Sequence, residues 1–358
     1  MSSIQPLRVA MLGSGLFAKE AHLPAIAELK QVVHLQANWS RSESSAQDFQ
    51  SCAKKEHAIE SQVHYGDEGL DTLLSREDID AVIMALPITS QPDLITKCLK
   101  AGKHVLSEKP VADTVKRARQ LIKEYEGEYK GQGLVWEVAE QFYHEPRYQR
   151  VREILDSGKL GKVHFFQQSV FIHMKEGSKY HSTSWRTIPE YQGGFLLDGG
   201  VHFAAGLAAM FGPISSVTGS SYLHWQHLAP TDTCYAICKT ESGIDGTMTI
   251  SMGAGPTLSK VETIISCEKG HLELLAGPDS AGGWKLTLHS PGSEPVVEMF
   301  PSRGVFHEIK AFAESVQAVK SGQAKAASKT IHKALKDLGL IESCVNDSNT
   351  WTELDSMR

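Results

Sequence analysis

The sequence lacks the features that would mark a secreted, membrane or nucleic-acid-binding protein. It has six cysteines in 358 residues. None forms a C-x-x-C pair, so no disulfide framework or cysteine zinc site is indicated, and the set suits a reducing compartment. No uninterrupted apolar run approaches the about 18 residues that suggest a membrane span. The opening stretch MSSIQPLRVAML has neither a basic start nor a long apolar segment, so no signal peptide and a cytoplasmic location are expected. Charge of one sign is also missing. Lys and Arg number 36 against 42 Asp and Glu, a net charge of −6, which argues against nucleic-acid and membrane partners. There is no internal repeat and no low-complexity tract. Asn38-Trp39-Ser40 and Asn346-Asp347-Ser348 match the glycosylation triplet, but without a secretory signal both read as chance.

The residues that are present describe an ordinary globular chain, 41% apolar and 22% charged, long enough for two domains. From Arg8 to Trp136, short apolar runs alternate with helical patterns: RVAML (8–12), then a helix from Leu16; VVHLQANW (32–39); AVIMAL (81–86); KHVLSE (103–108). Such alternation predicts a doubly wound parallel sheet with right-handed crossovers. Beyond about residue 145 the rhythm changes. An amphipathic helix with Val151, Ile154 and Leu155 inward precedes a run of strands with turns between them, and helices follow over 306–322 and 328–345. This is the pattern of an α+β unit with a mainly antiparallel sheet. The expected division is 1–136 and 137–358, with a frayed tail after Asn346. Cys234 and Cys238, in CYAIC, alternate as on a strand and read as buried thiols on one face.

The stretch MLGSGLFAKEA (11–21) follows the first strand and opens a helix. Gly13-x-Gly15-x-x-Ala18 is the dinucleotide fingerprint. Gly13 permits the tight turn, Gly15 the backbone approach to a pyrophosphate on the helix N-terminus, and Ala18 close helix–strand packing. Leu16 and Phe17 fall within the same cofactor-binding turn. For NAD, the second strand should end in a carboxylate that holds the ribose 2′-hydroxyl. Here Ser40 stands in that place and Arg41 follows, a pair that suits a 2′-phosphate. NADP(H) is therefore preferred, with NAD(H) possible through nearby Glu43.

Two further stretches carry chemistry. AGKHVLSEKPVA (101–112) sets Glu108-Lys109-Pro110 at the carboxyl end of a strand, where ligands bind in doubly wound sheets. GGFLLDGGVHFAAG (193–206) places Asp198 and His202 four residues apart in an apolar, glycine-rich segment, the spacing that stacks two side chains on one helix face. By themselves they are a proton-handling pair, half a metal site or a coincidence. No third and fourth ligand cluster is visible, so no metal is expected.

The glycine loop, AGKHVLSEKP, WRTIPEYQGGFLLDGGVH and HEIKAFAES occur in that order. In combination the chain resembles the glucose–fructose oxidoreductase / inositol dehydrogenase / MocA family of NAD(P)-dependent oxidoreductases, from Leu7 to about Val345. The resemblance implies an N-terminal Rossmann domain and a C-terminal α/β domain. The open sheet of the latter often serves oligomer contacts, so a dimer or tetramer is expected. It also implies a small-molecule substrate between the domains. Lys109 would polarise the reacting oxygen, His202 would act as acid and base, and Asp198 would orient His202 or a substrate hydroxyl. Glu108 and Lys109 also count among the cofactor-edge residues. The family usually has Pro-Asn and then a His after the fourth strand, whereas this chain has Pro87, Ile88 and Gln91. Pro87 and Gln91 are placed at the cofactor edge. Glu137, Gln141, Tyr143 and His144 are candidates to face the pocket, as are Lys175, Lys179, Tyr180 and His181 in a polar loop, then Trp185 and Arg186. Of these, Tyr143, Lys175, Trp185 and Arg186 are the expected substrate contacts. The resulting expectation is hydride transfer between nicotinamide and a carbonyl/alcohol carbon of a sugar, polyol or cyclic substrate. The alternatives are a redox-neutral enzyme with tightly held NAD, of glycosidase or epimerase type, and a dinucleotide-sensing regulator that is not an enzyme.

Overall fold

Runs such as RVAML and AVIM are too short for a packed helix and apolar at successive positions. Each becomes a strand buried on both faces, as central strands of a parallel sheet must be. The computed structural model describes residues 5–277, 283–346 and 350–354. The chain forms two compact units that interleave in sequence. One comprises the residues up to Gln141 with Val305–His332, the other Phe142–Gly304 with the residues from Lys333 on.

In the first unit, β1 (Leu7–Leu12), β2 (Val33–Ser40), β3 (Gln62–Tyr65), β4 (Ala81–Met84), β5 (His104–Glu108) and β6 (Trp136–Ala139) are all parallel. Their order is β3-β2-β1-β4-β5-β6, the doubly wound arrangement, which puts its switch point between β1 and β4. The crossovers carry α1 (Leu23–Glu28), α2 (Glu43–His57), α3 (Gly66–Leu74), α4 (Gln91–Lys100) and α5 (Val115–Glu124). The helical turn that leads into α1 begins at Leu16 and passes through a π-turn over Ala18–His22. The expected pattern differs in two places. The strand expected over 81–86 ends at Met84, and β3 and α3 occupy the stretch QVHYGDEGLDTLL, whose polar strand has little apolar alternation to mark it. The core under this sheet joins Leu7, Val9, Met11, Ile83 and Leu106 to Ile309, Phe312, Ala313 and Val316 of the helix Gly304–Lys320. Glu137 in β6 anchors the same returning segment. It accepts hydrogen bonds from the backbone N–H groups of Lys329 and Thr330 (3.0 and 2.9 Å) and from the Thr330 hydroxyl (2.6 Å). This carboxylate is therefore structural rather than a pocket residue.

At the start of β5, His104 is buried and its Nδ1 accepts the Val135 N–H at 3.0 Å. Burial, aided by Lys320, pushes its imidazole down to about 4. An unfolded histidine titrates near 6.5, so between those values only the unfolded chain takes up the proton. Stability from this group is complete above about pH 6.5 and is lost as pH falls towards 4, a contribution of about 3 kcal/mol. His104→Asn keeps an acceptor but not the titration. It should flatten the pH dependence of the urea midpoint across that window; an unchanged slope would exclude His104 as its source.

The second unit opens with α6 (Pro146–Asp156), which buries Val151 and Ile154 as expected while Leu155 stays half-buried. Then come β7 (Val163–Phe171), the single turn α7 (Ser184–Thr187), α8 (Gly194–Phe211), and a strand series. The series is β8 (Ile214–Tyr222), β9 (Thr233–Thr240), β10 (Asp245–Ser251), β11 (Lys260–Cys267), β12 (Gly270–Ala276), β13 (Trp284–His289) and β14 (Val296–Phe300). The helices α9 (Gly304–Lys320) and α10 (Ile331–Asn346) and the short strand β15 (Thr352–Glu353) complete the chain. The nine-stranded sheet runs β14-β13-β12-β11-β7-β10-β9-β8-β15 and is antiparallel except for the β7–β10 pair. The period-2 alternation is plain in β9, where Cys234, Ala236 and Cys238 face the core and Tyr235 and Ile237 face outward. All six cysteines are free thiols, and burial holds Cys238 well above the ordinary thiol range. α8 is apolar enough to cross a membrane by length and composition, but 78% of it is buried, as befits a core helix. The tail expected to fray instead contributes β15, paired with β8, and a buried Leu354; residues 347–349 and 355–358 lie outside the described part. Asn38 is buried and donates to the Ala46 carbonyl, which removes it as a glycan acceptor in the folded chain.

Candidate cofactor and active-site residues

The glycine loop lies at the switch point of the parallel sheet. Gly13 has φ +108°, and a Cβ there would meet the Ala85 carbonyl oxygen at 2.1 Å. Its N–H donates to the Trp39 carbonyl at 2.9 Å, so the turn is held between β2 and the end of β4. Gly15, by contrast, is exposed, and apart from its chain neighbours no described residue comes within 4 Å of where its Cβ would stand. Ala18 is fully buried, and Leu16 and Phe17 are half-buried in the first turn that follows.

The carboxyl ends of the parallel strands carry polar atoms without partners among the described residues. Ser14 Oγ follows β1, both amide atoms of Gln91 open α4 after β4, and Gln141 Oε1 follows β6; all are buried and make no hydrogen bond. Leaving such groups unmade costs about 1–3 kcal/mol each, and nearly all buried polar groups in folded proteins find a partner. A dinucleotide offers donors and acceptors at this edge, so the residues present fit the group. Pro87 is half-buried in the loop that leads into Gln91 and α4. β2 ends at Ser40, and Arg41 is exposed immediately after it. Glu43 lies beyond the Ser42 cap, in the first turn of α2, where its carboxylate accepts from Gln47 Nε2 at 2.9 Å.

Lys109 sits half-buried just past β5, and the Lys109–Pro110 bond is cis. The preceding Glu108 is buried. Its Oε2 accepts the Lys109 N–H at 3.2 Å and its Oε1 bonds His22 Nε2 at 2.7 Å. His22, fully buried in the π-turn, thus ties the helix of the glycine loop to the segment that presents Lys109. His22 is not among the residues the sequence marks. The only signal was one histidine in an otherwise apolar helix stretch, HLPAIA, which by itself does not stand out.

In the second unit, Asp198 and His202 do share a helix, α8. Gly193 caps it in the left-handed region (φ +74°), where its absent side chain avoids Leu197 Cβ. Asp198 is buried and accepts from Arg186 Nε at 2.8 Å. The guanidinium in turn lies 4.0 Å from the centre of the Trp185 ring. Two expected substrate contacts, Trp185 and Arg186, therefore form the setting of Asp198. His202 is half-buried and stacks on Phe142, with ring centres 4.9 Å apart. Phe142 is backed by Arg147, itself buried in an ion pair with Glu145 (2.6 Å). Tyr143 donates to Asp337 at 2.9 Å. Lys175, Lys179 and Tyr180 are exposed, whereas His181 is buried, with Nδ1 accepting the Gly177 N–H and Nε2 bonded to the His227 carbonyl. A phenol the sequence did not single out, Tyr191, is buried with its hydroxyl unbonded, and burial together with nearby Asp198 holds it above the ordinary tyrosine range.

Residues 7–130 match a model of the oxidoreductase family with an NAD-binding Rossmann fold, and residues 148–273 match a GFO/IDH/MocA C-terminal domain. The chain is 34% identical over 348 residues to the dehydrogenase FPY6 of Fusarium mangiferae, covering 95% of this chain and 96% of that one. An oxidoreductase of Thermotoga maritima has the same fold, with a TM-score of 0.82 at 27% identity over 99% of this chain and 100% of the other. A 3-ketoreductase from Actinomadura kijaniata, solved with NADP and TDP-benzene, aligns with a TM-score of 0.76 at 24% identity, covering 96% and 98%. The glycine loop, the Glu108-Lys109-Pro110 turn and the α8 pair thus stand in a chain that belongs to the Gfo/Idh/MocA family of NAD(P)-binding oxidoreductases.

Proposed function

We propose that the protein is an NADP(H)-dependent oxidoreductase acting on a carbonyl/alcohol carbon of a small hydroxylated substrate of the sugar or polyol class. The observation that carries the reading is the joint retention of Lys109 after β5 and of Asp198 and His202 on one helix, in a chain of this family. The Rossmann unit would hold the cofactor through the Gly13–Ala18 turn, Gln91 and the end of β2. When bound, the nicotinamide supplies or accepts the hydride. The Lys109 ammonium polarises the substrate oxygen and stabilises the negative charge that grows on it during reduction. His202 gives that oxygen its proton in reduction and removes it in oxidation. Asp198, itself held by Arg186, fixes the local charge and geometry of α8.

The preference for NADP(H) rests on the end of β2. Arg41 follows Ser40 directly, while the Glu43 carboxylate belongs to the first turn of α2. The test is loss of absorbance at 340 nm with NADPH or NADH against a panel of keto sugars, inosose-type ketones and aldehydes. NADPH should be the better cofactor. Arg41→Ala should raise the KM for NADPH by tenfold or more and leave that for NADH nearly unchanged. A preference for NADH in the unaltered protein would overturn the cofactor assignment, and a tightly retained cofactor with no net turnover would replace the reading by redox-neutral chemistry.

A further inference from the structure

The sequence shows no metal-ligand spacing, yet the register of the second sheet assembles one. In β12 and β13, His271 pairs directly across from His289, and Glu273 lies two residues along from His271, hence on the same face. One donor atom from each of the three lies within 4.8 Å of the others. His271 Nε2 is 3.6 Å from Glu273 Oε1 and His289 Nε2 is 3.4 Å from Oε2. The two imidazoles stack with centres 4.1 Å apart and planes 3° from parallel. His289 Nε2 is buried and makes no hydrogen bond among the described residues, although it stands beside the carboxylate. Among the described residues, no lysine or arginine neutralises Glu273; its ion-pair partners are these two histidines.

We propose that His271, Glu273 and His289 form a binding site for a borderline divalent transition-metal ion such as Zn²⁺, bridging β12 and β13. Ligands about 2.1 Å from a tetrahedral zinc stand about 3.4 Å from one another, which is the separation already present between the carboxylate and each imidazole nitrogen. Two imidazoles and one carboxylate favour zinc, cobalt, nickel or copper over magnesium and calcium, which prefer all-oxygen shells. With neutral histidines the cluster carries one negative charge, so a divalent ion meets no local repulsion. Binding requires the stacked rings to turn until both lone pairs converge, and it leaves one coordination position for water. Because the ligand nitrogens must be unprotonated, uptake falls in acid. The site lies on β12 and β13 and uses none of the residues assigned to hydride or proton transfer.

The test uses the full chain without a polyhistidine tag, stripped with chelator and dialysed against Zn²⁺ or Co²⁺. One Zn²⁺ per chain should bind, and Co²⁺ should give the visible ligand-field bands of a four-coordinate site. His271→Ala and His289→Ala should each raise the dissociation constant at least tenfold, and Mg²⁺ should not compete. Thermal melts of the metal-free variants check folding. Should an alanine variant melt early, His271→Gln and His289→Gln serve instead. Absence of binding to the unaltered chain would overturn the proposal. So would binding that survives in the double variant, which would move the ion to other ligands, such as the buried His22, Glu108 and Glu308 group.

Discussion

Lys109→Met should lower kcat by about 10²- to 10³-fold, the effect of removing one charge-stabilising donor from a developing oxyanion, while the dissociation constant for NADP(H) changes by no more than a few fold. Methionine keeps the unbranched stem that fits a half-buried position past β5 and removes only the ammonium. The backbone anchor remains, because it is the Lys109 N–H, not the side chain, that donates to Glu108. A fall in kcat with nearly constant KM identifies an interaction made chiefly in the transition state. Unchanged turnover would remove Lys109 from the chemistry, and a fall confined to KM would make it a binding residue. His22→Gln is the natural companion, since it alters the buried support of Glu108 while leaving the ammonium in place.

Gly13→Ala should be the most damaging single methyl group in the first unit. The residue occupies a backbone conformation that side chains rarely adopt, and the added carbon would lie 2.1 Å from the Ala85 oxygen and 2.9 Å from its carbonyl carbon. Neither partner can retreat cheaply. The Ala85 N–H is bonded to the Leu12 carbonyl at 2.8 Å, and the Gly13 N–H to Trp39 at 2.9 Å. Relief therefore means separating β1 from β4 or breaking the turn, a cost of about 3 kcal/mol or more. Urea denaturation should show that loss, and cofactor binding should disappear with the loop. Gly15→Ala makes the informative contrast. Apart from its chain neighbours, its new carbon meets no described residue within 4 Å, so stability should hold while cofactor affinity falls by tenfold or more. Unchanged cofactor affinity in Gly15→Ala would show that the open space at Gly15 has no ligand-binding role.

Much of this was legible in the chain because it depends on local pattern. Apolar runs alternating with helical patterns gave the parallel sheet apart from β3, and the run of strands beyond residue 145 gave the mainly antiparallel one. The four-residue spacing of Asp198 and His202 fixed their common helix face. The glycine loop was readable because its requirement, a residue without Cβ at a tight turn, is met by one residue type. Side-chain environments were not readable in the same way. Glu137 looked like a pocket carboxylate and is a tether for Lys329 and Thr330, nearly two hundred residues away. Arg186 was read as a substrate contact, and its bond to Asp198 could not be read from the spacing of the two residues.

What the sequence determined by itself was most of the strands and helices, the two sheet types and the family motifs, since each follows from periodicity or backbone sterics within about ten residues; β3, α3 and β15, whose stretches carry little apolar alternation, were not among them. Only the tertiary structure decided that the helix Gly304–Lys320 returns to the core of the first sheet, that His22 joins the glycine loop to the Glu108-Lys109 segment, and that His271 and His289 meet across a strand register. Each of these is a pairing between distant segments. Sequence distance carries no information about such a pairing until burial and sheet register have brought the partners together.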